Sequence, residues 1–413
     1  MPSGAPPTDL WPRLEPLLPQ VQKPARYIGC EDGMQTPEHG PDKTSWLFTY
    51  PDTYEIGLPN AGLQILYEII NERPDAAAER SYAPWVDMEE LLRREGLPLF
   101  SVDTHKPAGE FDIIAFNLSA ELTYTNLVNC IDLAGVPIHS ARRADADPLI
   151  AVGGHCTYNP EPIADFVDLV VLGDGEEVIG DITDLVGEWK CNGKNTGTRE
   201  GLLRELSKIE GVYVPSMYEV EYDGEFLAAV TPRYPDVPEK VEKRTVADLA
   251  DWPYPKQQLV PMTEVVHDRL AVEVFRGCTR GCRFCQAGMI TRPVRERPAE
   301  QVSRMISESC SAPGTTRCRS RRFPLLTSPG SRRSSPTLCP IKAWARCRWR
   351  CHRCESMPSP SVSLPNSSGP VAPASPSPPK PAPGACVRSS TSSSVKKIST
   401  APSNRLTARV GVA

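Results

Sequence analysis

A chain of 413 residues with a net charge of −5, 14 cysteines and 44 prolines has room for two or three domains. No apolar run approaches the length of a membrane span, and the opening MPSGAPPTDLWPRL lacks the basic and apolar parts of a secretory signal. With no export signal expected, the cysteines argue against a disulfide framework and for thiolate chemistry in a reducing cytoplasm.

The charge is unevenly placed. From Cys310 to Ala413 there are 21 Ser and 16 Pro, with 17 Lys and Arg against one acid, Glu355. This tail carries +16, and residues 1–309 carry −21.

In chain order, residues 1–44 are rich in Pro and Gly and are expected to form an irregular lead-in. The run 45-SWLFTY-50 predicts a strand, followed by 51-PDTYEIGLPN-60 and a helix over 61–73 with Leu63, Leu66, Ile69 and Ile70 at helical spacing. A second helix is expected over 85–96, closed by a glycine, and then a strand around 97-LPLFSV-102. Next come a buried strand in 111-FDIIAFNLS-119, a helix over 122–135, and strands in 148-PLIAVGG-154 and 166-FVDLVVLGDGEE-177. Strands alternating with helices at this spacing predict a parallel sheet covered on both faces. The fold class is therefore α/β, with a Rossmann-like, flavodoxin-type domain over residues 45–190 and a ligand edge in the loops after the strands.

Residues 191–262 read as a mixed region with strands in 211–223 and 225–234 and a linker-like Pro-rich stretch over 231–261. The run 270-LAVEVF-275 predicts a strand leading into the cysteines, and 298–309 a helix with Pro298 at its first position. After Ser309 neither strand nor helix periodicity persists, and such composition buries too little apolar surface to offset chain entropy. The abrupt change has the character of a shifted reading frame. Its rival is a real basic tail binding RNA, against which stand the few aromatics and the lack of a recognisable module.

The most informative stretch is 274-VFRGCTRGCRFCQAGMITRPVRERPAE-300, with Cys278, Cys282 and Cys285 at C-x3-C-x2-C. Structural zinc sites take four ligands, and most iron–sulfur clusters take four cysteines. Three thiolates hold three irons of a [4Fe–4S] cube and leave the fourth open for a small molecule. The same spacing recurs at Cys347, Cys351 and Cys354, but without a preceding strand, a glycine or an aromatic before the last cysteine. That copy reads as accidental.

The motif, with Phe284 before its last cysteine and Arg276-Gly277 before its first, resembles the radical S-adenosylmethionine (SAM) superfamily. The resemblance implies Cys278, Cys282 and Cys285 as ligands of a [4Fe–4S] cluster and SAM on the open iron. It further implies Phe284 against the adenine, Arg276 and Gly277 in the binding loop, and an electron donor such as a flavodoxin or ferredoxin. The order of domains is similar to a subgroup with a cobalamin-binding Rossmann domain ahead of the radical SAM core. More narrowly, residues 46–309 resemble an uncharacterised bacterial family in that subgroup through 51-PDTYEIG-57, 117-NLSAELTYTN-126, 159-NPEP-162 and 295-RERPAE-300.

That resemblance makes cobalamin an optional further cofactor, with Gly153-Gly154 in the tight turn after the fourth strand. Tyr54 stands where a histidine would ligate cobalt from below. His105 is expected on a surface loop, His155 and Cys156 in a turn, and 173-GDGEE-177 in a ligand loop or a solvated acidic turn. A radical SAM core is a partial (β/α)6 barrel, and only its first unit is legible, over residues 263–309. The expectation is thus a radical SAM protein whose chain is truncated and inactive. Its alternative is a non-enzymatic corrinoid- or small-molecule-binding module with a vestigial cluster motif. No membrane partner is expected, a nucleic-acid substrate is disfavoured by the acidity of residues 1–309, and the substrate itself is unspecified.

Overall fold

The apolar run at Thr44–Tyr50 forms β1, and all seven of its residues are buried, so the sheet is covered on both faces there. The computed structural model describes residues 9–311, apart from 36–37, 192–196, 253, 256–257 and 268–270. All described residues belong to one compact unit. The expected disordered, out-of-frame tail and its Cys347, Cys351 and Cys354 lie outside the described residues.

Five parallel strands follow the order β2 (Ala76–Tyr82), β1, β3 (Ile113–Asn117), β4 (Leu149–Gly153), β5 (Leu169–Val171), and β6 (Val212–Tyr213) closes the far edge antiparallel. This mixed α/β order reverses direction between β1 and β3, as in flavodoxin-type sheets. The helices are α1 (Trp11–Leu14), α2 (Tyr54–Gly57), α3 (Ala61–Asn71), α4 (Val86–Glu95), α5 (Tyr124–Leu133), α6 (Gly175–Cys191) and α7 (Arg199–Leu206). Asn60 starts α3 by accepting the Leu63 amide at 2.9 Å, and its apolar stripe buries Leu63, Ile69 and Ile70. Trp46 of β1 is fully buried and donates its indole N–H to Thr183 of α6 at 3.0 Å. Each such fully buried large side chain stabilises the fold by about 1.5–3 kcal/mol.

The strand expected around 97–102 is not one. It is a loop that lies along the outer edge of β2, where the Val102 amide donates to the Arg80 carbonyl at 2.8 Å. The edge strand itself, Ala-Ala-Ala-Glu-Arg-Ser-Tyr, was hidden by its two charges. Both are buried and paired: Arg80 reaches Asp103 at 2.5 Å and Glu31 at 3.0 Å, while Glu79 accepts from Thr104 at 2.7 Å and pairs with His39. Burial lifts Asp103 to about 6 against the pull of Arg80, so both groups are charged at neutral pH.

Three other expectations change. The lead-in is not loose, because Leu10, Leu14, Leu17 and Leu18 pack on Met88, Leu91 and Leu92 of α4. His105 is buried rather than on the surface, with its Nε2 at 3.0 Å from the Tyr27 carbonyl and its ring against Trp11. The stretch read as a linker follows a hairpin of β7 (Tyr218–Asp223) and β8 (Phe226–Pro232), and it is a packed strap with Val237, Val246 and Leu249 buried. Among the described residues no helix is long and apolar enough to cross a membrane.

Candidate metal centre at the cysteine loop

Two short strands, β9 (Phe275–Arg276) and β10 (Arg295–Glu296), pair antiparallel with Arg276 opposite Arg295. They form the neck of a loop, residues 277–294, that carries all three motif cysteines. Of the strand expected at 270–275, Phe275 alone among the described residues lies in one. Helix α8 (Ala287–Ile290) closes the loop, and α9 (Ala299–Ser311) follows it, one residue later than expected, with the Pro298 carbonyl accepting from Val302.

Gly277 opens the loop at φ +96°, and a Cβ there would sit 2.5 Å from the Pro293 carbonyl oxygen. Only glycine fits that approach. The Arg280 amide donates to the Cys278 sulfur at 3.4 Å, and the Cys285 amide donates to the Cys282 carbonyl at 3.1 Å. Arg292 donates to the Cys278 carbonyl at 3.2 Å. All three thiols are free of disulfides; Cys282 is exposed, and Cys278 and Cys285 are half-buried. Phe284 is 92% exposed and packs on nothing.

Among the described residues no three His, Cys, Asp or Glu side chains are gathered into a metal centre. The donor set nevertheless fits a [4Fe–4S] cluster in kind. Three soft sulfurs stand on one short exposed loop, unpaired with one another, with a backbone N–H aimed at one of them.

The neck is seated on the carboxyl edge of the sheet. Arg276 donates to Asp174 at 2.8 Å, to Glu176 at 2.6 Å and to Glu273 at 3.0 Å, so its guanidinium is taken up by carboxylates. Burial alone would lower the Arg276 pKa, but Glu176 and Glu273 raise it well above the ordinary value. Burial would likewise raise Asp174, and Arg276 and Arg295 outweigh it and hold the carboxyl below its usual range. The acidic run 173–177 is therefore not a solvated turn; Asp174 and Glu176 face the neck. Further out, Tyr158 donates to the Ile290 carbonyl at 3.3 Å and Lys243 to the same oxygen at 3.1 Å.

The remaining candidates sit elsewhere on this edge. Gly153 ends β4, and Gly154, at φ +111°, lies so close to its neighbour that a Cβ would meet the Leu118 carbonyl oxygen at 2.5 Å. The turn beyond holds His155 exposed and Cys156 buried. Tyr54 is 1% exposed, packs edge-on against Tyr82 and receives the Met262 amide on its hydroxyl at 3.3 Å. These residues do not fit a corrinoid. Tyr54 is turned into the core, Gly154 approaches the protein's own backbone, and Tyr158 and Asp174, in the loops after β4 and β5, are already bonded to the cysteine loop and its neck.

Sequence reasoning left Asp174, Glu176, Lys243 and Arg295 without a role. The available signal was the acidic GDGEE run, set against the six arginines of the cysteine stretch 274–300.

The fold and the loop define an α/β protein with a three-thiol donor set on the carboxyl edge of its sheet. Residues 62–215 match a family described as radical SAM proteins, N-terminal, a span that runs from α3 through β6 and stops before the cysteines. No curated protein and no solved structure matches the chain. The match covers less than half of the 413 residues and makes the chain similar over that span to radical SAM proteins, which in general work with a [4Fe–4S] cluster and SAM.

Proposed function

We propose that Cys278, Cys282 and Cys285 ligate a [4Fe–4S] cluster for SAM-dependent radical chemistry on a substrate yet to be identified. The observation that carries the reading is the set of three disulfide-free thiols on one exposed loop. Cys278, Cys282 and Cys285 would hold such a cluster, which would supply the one-electron reduction of SAM that is general to radical SAM proteins. The protein's part is to hold and orient. The Arg280 N–H donates to the Cys278 sulfur and so fixes the turn that follows the first ligand. Gly277 lets the chain turn sharply between the neck and the first ligand. Phe284 presents an open aromatic face suited to stacking on an adenine. An external donor of the flavodoxin or ferredoxin kind would supply the electron.

The Ser/Pro/Arg composition after residue 309 supports a reading frame shifted from that point. Translating the other two frames of the gene beyond codon 309 tests this; the absence of any strand–helix pattern there counts against it. The ligand assignment is tested by anaerobic iron–sulfide reconstitution of the full chain and its Cys278→Ala variant. Iron and sulfide are expected in the first and lost from the second, and equal uptake by both rejects the assignment.

A further inference from the structure

The geometry points to Asp174 as the positioning residue of the cysteine loop, with Glu176 in support. The claim rests on the reading of the three cysteines as cluster ligands only for what the loop holds. One carboxylate touches both strands of the neck: Asp174 Oδ1 accepts from Arg276 at 2.8 Å, and Oδ2 accepts from Arg295 and from the Val246 amide at 3.0 Å. Arg276 and Arg295 are partners across the β9–β10 pair, so Asp174 closes the neck from the sheet side. Glu176 Oε1, in the first turn of α6, takes the remaining Arg276 nitrogen at 2.6 Å.

The other partners of the two arginines differ in kind. Arg276 keeps Glu273 as a second acid, whereas Arg295 otherwise meets, among the described residues, the carbonyls of Val246, Pro293 and Thr291. Arg295 is buried, and a buried cation left without its counter-charge is strongly disfavoured. Loss of the Asp174 charge therefore opens the neck locally. Cys278 lies two residues beyond Arg276 and feels this first. Cys282, already exposed, serves as an internal reference.

The test uses the reduced full chain under anaerobic conditions. Iodoacetamide labelling of each cysteine is followed by peptide mass spectrometry in wild type, Asp174→Asn, Asp174→Glu and Glu177→Gln. Glu177 stands on the same turn but pairs with Arg244 instead of the neck. In Asp174→Asn the Cys278 rate relative to Cys282 should rise roughly fivefold or more, as expected when a locally closed unit opens. Asp174→Glu should restore most of the protection, and Glu177→Gln should leave the ratio unchanged. An unchanged ratio in Asp174→Asn with a native circular dichroism spectrum overturns the proposal.

If Asp174→Asn does not fold, Glu176→Gln takes its place, with a smaller rise expected and an unchanged ratio again decisive. A second arm reconstitutes the same proteins with iron and sulfide and follows iron retention against a chelator, where Asp174→Asn should lose iron faster. Wild type that takes up no iron removes the cluster reading and leaves the labelling ratio to decide the positioning role alone. Wild type that holds iron no more firmly than Asp174→Asn, with equal labelling, overturns the positioning role alone.

Discussion

The sheet domain and the cysteine loop treat their polar groups in opposite ways. In the sheet, charged side chains are buried and matched within the protein: Arg80 with Asp103 and Glu31, and Asp168 with Arg143 at 2.7 Å and Arg199 at 3.0 Å. In the loop, three sulfurs and a phenyl ring are left without protein partners of comparable strength, on a backbone held firmly at its neck. Matched groups describe architecture, while donors held in place and left open describe a site. The carboxyl edge, where open α/β sheets ordinarily seat a ligand, here seats the loop itself.

The contrast can be broken first in the sheet. Arg80→Met should destabilise the protein by about 3–5 kcal/mol, because Glu31 and Asp103 would stay buried without a cation. Urea denaturation reads this out, and a loss below about 1 kcal/mol, the scale of an exposed pair, would mean the pair is solvated. Gly154→Ala should cost about 2 kcal/mol from strain at positive φ and contact with Leu118.

Gly277→Ala carries equal local strain but sits in the loop, so its main effect should be faster iron loss, with a global stability change of about 0.5 kcal/mol or less. Comparable urea midpoints for the two glycine variants would erase the distinction between the regions. The smallest effect is expected for Phe284→Ala, within about 0.5 kcal/mol in stability because the ring packs on nothing. Weaker SAM binding by that variant, followed by equilibrium dialysis of reconstituted protein, would sharpen the contrast.

How much of this was legible in the sequence follows the same division. β1, β3, β4 and β5 announce themselves as apolar runs because central parallel strands are buried on both faces. β2 does not, since its place depends on charges that find partners at Glu31 and Asp103. Residues 97–102 mislead in the other direction: they are apolar because they cover an edge, not because they form one. The cysteine spacing is local and could be read directly. Its seat could not, because Asp174 and Arg276 lie 102 residues apart and only the folded sheet brings them together.

The most direct measurement is the electron paramagnetic resonance spectrum of the reconstituted, anaerobically reduced full chain, recorded with and without SAM. The account predicts an iron–sulfur signal that changes when SAM is added and disappears in Cys282→Ala. A signal indifferent to SAM, or one equally strong in the variant, would contradict a three-thiol cluster with an open iron.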